Sequence, residues 1–85
     1  MSWALLIDPS ARKFLEKVPK NQAGKIGSAI DGLSLDPYFG DIEKMSGEED
    51  TWRRRVGSYR IFYKIFLPHN LIYVFKIKRR TSSTY

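Results

Sequence analysis

The apolar positions change period near the middle of the chain. The first run, "WALLI" over residues 3–7, is short and continuous, as in a buried strand. Asp8-Pro9 then supplies a capping side chain and a proline suited to a first helical position. Ala11, Phe14, Leu15 and Val18 follow at i, i+3, i+4 and i+7, one apolar helical face that Pro19 ends. A second helix is predicted from about Asn21 to Leu35, with Ala23, Ile26, Ala29, Ile30 and Leu33 along one side. Two short helices joined at a proline predict a helical hairpin. Gly24, Gly27 and Gly32 either weaken the second helix, by up to ~1 kcal/mol each, or permit close packing.

Residues 36–50, "DPYFGDIEKMSGEED", read as a loop with a proline, two glycines and a final acid cluster. From Thr51 the period shortens to two. "TWRRRVGS", "YRIFYKIF" and "LIYVFKIK" are rich in β-branched and aromatic residues, with "LPHN" as the turn between the last two. The predicted order is β-α-α-β-β-β, an α+β fold with the helical hairpin on one face of a mainly antiparallel sheet. Residues 1–85 are expected to form one domain.

Parity within the strands separates the side chains by face. Trp52 and Val56 belong against the helices, and Arg54 shares their parity. Arg53 and Arg55 then stand on the free face. In the next strand Arg60 and Lys64 share a parity with Phe62, placing an aromatic amid charges. Phe62, Tyr59, Tyr63 and Tyr73 are each also candidates for the core.

Charge sharpens this picture. All nine acids lie in residues 1–50, whose net charge is −3, whereas residues 51–85 hold nine bases and no acid. Such asymmetry points to an anionic partner, nucleic acid first. A basic, aromatic-bearing sheet face suits single-stranded RNA, because guanidiniums fork onto phosphates and rings stack on unpaired bases. Cysteine is absent and His69 is the only histidine, so no metal-ligand spacing exists; His69 reads as a turn residue. No apolar run approaches the roughly 20 residues of a membrane span, and the start lacks the features of a secretory signal, so a cytoplasmic protein without membrane contact is expected. An enzyme built from these residues would work on RNA without metal or cofactor, using the 2′-hydroxyl as nucleophile. Arginines would hold the backbone in line and neutralise phosphoryl charge. The tail "KRRTSSTY" adds Lys78, Arg79, Arg80 and Tyr85.

"DTWRRRVGSYRIFYKIF", then "YVFKIKRR" and a tail ending in Tyr85, resembles the RelE/ParE superfamily of type II toxin–antitoxin toxins, in particular its RelE branch. The resemblance extends to the "LxxDP" turn from Leu33 to Pro37 and to "KMSG" before the arginine strand. It implies a ribosome-dependent mRNA endonuclease that cuts in the ribosomal A site, against 16S rRNA of the 70S ribosome, and inhibits translation. It also implies a cognate antitoxin, and no cofactor or small-molecule ligand. Arg53 and Arg55 fall where RelE-type toxins place two catalytic lysines. Arg60 falls on a phosphate-contacting arginine, Arg79 on the arginine at the leaving group, and Tyr85 on the tyrosine that stacks on the substrate. Lys64, Lys78 and Arg80 join the expected phosphate contacts. Arginine at both lysine positions weakens any base role there. A ParE-like gyrase poison and a non-catalytic RNA-binding module are the alternatives.

Overall fold

The computed structural model describes residues 3–47 and 49–79. Its elements run β1 (Ala4–Ile7), α1 (Pro9–Lys17), α2 (Lys20–Leu35), β2 (Ile42–Lys44), β3 (Thr51–Val56), β4 (Tyr59–Phe66), a 3₁₀ turn (Leu67–His69) and β5 (Leu71–Arg79). They assemble as a five-stranded sheet of order β1-β5-β4-β3-β2, with β1 parallel to β5 and the other pairs antiparallel. Both helices lie on one face, α1 against β5 and α2 against β3 and β4. This is the predicted α+β arrangement with one strand added. Asp8 caps α1, its carboxylate accepting the Ser10 backbone N–H at 3.0 Å, with Pro9 in the first turn. The same carboxylate also accepts from the Tyr73 hydroxyl at 2.6 Å, tying the helix start to β5. These hydrogen bonds, from Ser10 first and Tyr73 second, hold Asp8 below the usual carboxylate range.

The core joins Ala11 with Ile26, Ala29, Ile30 and Leu33 of α2, and with Tyr59, Ile61, Tyr63, Ile65, Ile72, Val74 and Ile77 of the sheet. Of the four aromatics that were candidates for the core, Tyr59 and Tyr63 are buried in it, while Phe62 and Tyr73 are only partly covered. Tyr63 donates a buried hydrogen bond to the carbonyl of Pro37 at 2.7 Å. The "LxxDP" turn is therefore a fastener between the end of α2 and the middle of the sheet. A Cβ added at Gly24, Gly27 or Gly32 would meet nothing within 4 Å, so these glycines do not serve close packing.

Two features depart from the sequence reading. Residues 42–44 form an edge strand inside the segment expected to be a loop. Ile42 pairs with Arg54, Glu43 with Arg53 and Lys44 with Trp52. With one apolar residue in three, β2 is a strand because β3 offers it a ladder. The second departure is a β-bulge where β5 passes Phe62 and Tyr63. Tyr63 pairs with Val74 but Phe62 pairs with Lys76, so Phe75 is an extra residue. Side chains beyond it have inverted parity.

Candidate functional site

The register resolves the free face of the sheet into rows. Arg55, Arg60 and Lys78 stand side by side on β3, β4 and β5. The neighbouring row, two residues away or about 6.8 Å, runs Glu43, Arg53, Phe62, Lys76. Beyond it lie Lys64 and Tyr73, again paired in register. Parity thus places Arg53, Arg55, Arg60 and Lys64 together, as the sequence predicts, and the bulge brings Lys76 and Lys78 to the same face.

Opposed like charges destabilise a sheet, so the row needs compensation. It comes from β2 and the residue before it. Glu43 forms an ion pair with Arg53, and Asp41 accepts from Arg55 Nε at 2.9 Å. The backbone N–H of Arg55 also donates to the Asp41 carbonyl at 2.9 Å, fixing that acid beside its partner. The hydrogen bond from Arg53, reinforced by its charge, pulls Glu43 below the usual carboxylate range. Asp41, Glu43, Arg53, Arg55 and Arg60 line one shallow recess. Sequence reasoning missed both acids because it assigned their segment to a loop. The alternation Asp-Ile-Glu was the available signal.

Arg54 points the other way. It pairs with Ile61 in register, on the side of the helices, and its Nη1 donates to the Arg55 carbonyl at 3.1 Å. Its guanidinium lies against Gly40, where φ is +98° and an added Cβ would come within 2.8 Å of the guanidinium carbon. Glycine there provides both the left-handed backbone and the space. Gly57, with φ of +57°, makes the tight turn between β3 and β4.

Arg79 is not brought into the row. The bulge pairs it with Tyr59, whose ring is in the core, and it lines a recess on the helix side with Pro19, Asn21, Gln22 and Ser58. It is one residue from Lys78 at the open end of β5, so its side chain reaches the free face only around that end. Arg80 and Tyr85 lie outside the described residues. Among the described residues no group of His, Cys, Asp and Glu is arranged to hold a metal ion, and no helix is long and apolar enough to cross a membrane.

The family model described as "ParE toxin of type II toxin-antitoxin system, parDE" matches residues 5–83. RelE1 of Methanocaldococcus jannaschii is 27% identical over 84 residues, covering 94% of this chain and 92% of that relative. A chain of the archaeal RelE–RelB complex from Pyrococcus horikoshii is 26% identical and superposes with a TM-score of 0.84, covering 98% of this chain and all of the other. The isolated RelE toxin of Escherichia coli shares the fold at a TM-score of 0.84 and 17% identity, covering 96% of this chain and 88% of its own.

Proposed function

Because the chain belongs to the ParE toxin family of type II toxin–antitoxin systems, within the RelE/ParE superfamily, we propose that it is an mRNA endonuclease acting on the ribosome. The observation that carries this reading is the row Arg55–Arg60–Lys78 with Arg53 beside it, four cations on the sheet face that the two described helices leave open. Guanidiniums so placed grip consecutive phosphates and hold a scissile one against its neighbouring 2′-hydroxyl. Attack by that hydroxyl forms a bond to phosphorus as the bond to the next nucleotide's 5′-oxygen breaks. The arginines offset the charge that gathers on the phosphoryl oxygens. The products are a cyclic 2′,3′-phosphate and a 5′-hydroxyl: the 2′-hydroxyl gives up its proton to solvent water as it attacks, and the 5′-oxygen takes one up as it leaves.

A guanidinium is a poor proton acceptor and a good phosphate ligand, so the work of Arg53 and Arg55 is electrostatic. They must exchange Glu43 and Asp41 for phosphate on binding. Arg79 would act at the leaving group around the open end of β5, and Tyr85, through its tail, at the substrate base. A cognate antitoxin is the expected protein partner. The relatives solved as RelE–RelB complexes support that expectation, and an acidic segment laid over the free face would mask the row.

Incubation with ribosomes programmed with a defined mRNA, followed by mapping of mRNA ends, tests the reading. Cleavage by wild type that disappears in Arg53→Ala/Arg55→Ala supports it, and intact mRNA with wild type overturns it. The family description favours a second reading, a ParE-like poison of gyrase. That reading requires trapped DNA breaks when gyrase, plasmid DNA and the protein are combined.

A further inference from the structure

We propose that Phe62 and Phe75 form a seat on which an unpaired nucleobase of single-stranded RNA stacks, next to the phosphate-binding row; the proposal rests on the RNA reading above. A sheet face turned to water ordinarily carries polar side chains. Here Phe62 and Phe75 stand on it, both only partly covered, and among the described residues no helix lies over them. Phe62 has Arg53 on one side and Lys76 on the other in register. The bulge then adds Phe75 to the same face, with ring centroids 6.3 Å apart and planes at 44°. Tyr73 continues the band at 6.3 Å and 37° from Phe75. At such separations and tilts no ring covers its neighbour's face, so flat apolar surface stays available.

The surroundings choose the occupant. Lys64 Nζ sits 5.8 Å from the Phe75 ring centroid, a weak contact on a partly covered ring that a stacked base readily replaces. An apolar protein helix laid over Phe62 and Phe75 would meet Arg53, Lys64 and Lys76 around them, whereas at the far end of the band Tyr73 pairs with the exposed Leu6 of β1. An RNA strand brings phosphates for the cations and bases for the rings. Phe62 lies two residues from Arg60 on the same face of β4, about 6.8 Å along the strand. A nucleotide whose phosphate is held by Arg60 and Lys78 therefore has its base within reach of Phe62 and Phe75. The seat would favour the bases that stack best, and so bias which nucleotide adjoins the cut.

The test uses a fluorescein-labelled 2′-O-methyl RNA hexamer, which cannot be cleaved, and matching hexamers with one abasic position moved along the strand. Phe62→Leu and Phe75→Leu are each expected to weaken binding of the full hexamer about fivefold or more. They should leave the salt dependence unchanged, and Phe75→Trp should restore affinity, which also controls for folding. One abasic position should erase the difference between wild type and Phe75→Leu. Unchanged affinity in the leucine variants, or equal losses on every abasic hexamer, overturns the seat while wild-type binding leaves the RNA reading standing. Wild type that binds no hexamer overturns the seat, while the RNA reading falls only if mRNA on programmed ribosomes also stays intact. Leucine variants that bind RNA normally but escape neutralisation by the antitoxin assign the rings to a protein partner and overturn the seat.

Discussion

Neutralising Asp41 and Glu43 should make RNA binding more salt-dependent, although both substitutions remove groups that never touch RNA. Among the described residues, the ion pairs of the free face occupy Arg53 and Arg55. Arg60, Lys64, Lys76 and Lys78 stand there without a carboxylate partner among the described residues. Counterion release counts only the charges that a nucleic acid newly neutralises, at a slope of about −0.7 per phosphate for a single strand. Four such cations give a slope of log K against log salt of about −2.8. In Asp41→Asn/Glu43→Gln two more guanidiniums join them, and the slope steepens towards about −4.2. A tenfold rise in salt then costs wild type about 600-fold in affinity and the double variant about 15,000-fold. Anisotropy titrations with an uncleavable single-stranded RNA, repeated across that salt range, measure both slopes. At low salt the variant should bind more tightly. An unchanged or shallower slope would refute the claim that these acids hold the arginines in the free protein.

Arg60→Ala should reduce the same slope by about 0.7. Tyr63→Phe should lower stability by about 1–3 kcal/mol, read as a shift in urea midpoint, because it strands the buried Pro37 carbonyl without its donor. Burial raises the Tyr63 phenol above its unfolded value of 10.0, so its contribution is complete below that pH and declines as pH rises further. Tyr63→Phe should accordingly flatten stability against pH on the alkaline side. Asp8 has the opposite sign. Its folded pKa lies below the unfolded 3.8, so its contribution is present above that pH and disappears as acid protonates it. Thermal unfolding in acid should show a smaller pH dependence for Asp8→Ala than for wild type.

The helices and β3–β4 were legible because their apolar periods are clean and one face of each is buried. Asp8-Pro9 announced the first helix, and alternation through β3 and β4 separated Arg53, Arg55 and Arg60 from Trp52 and Val56. β2 was illegible because its strand character comes from its partner rather than its own three residues. With it went the two carboxylates that hold the arginines. The bulge was hidden for another reason. "YVFKI" in β5 is apolar at nearly every position, so alternation cannot say which side chain turns inward. Resemblance placed Arg79 at the leaving group, and the side of the sheet on which it stands is given only by the observed register, which pairs it with Tyr59.

The same bulge changes what a deletion would do. Loss of one residue from the middle of a strand normally turns every later side chain inside out. Here Phe75 is the extra residue, so removing it would leave Lys76 opposite Phe62, Ile77 opposite Ile61 and Lys78 opposite Arg60, as they are now. A single in-frame codon therefore carries the second ring of the seat, separable from the core and from the cationic row. One such codon gained or lost would add or remove that ring in a single step without rebuilding the protein beneath it.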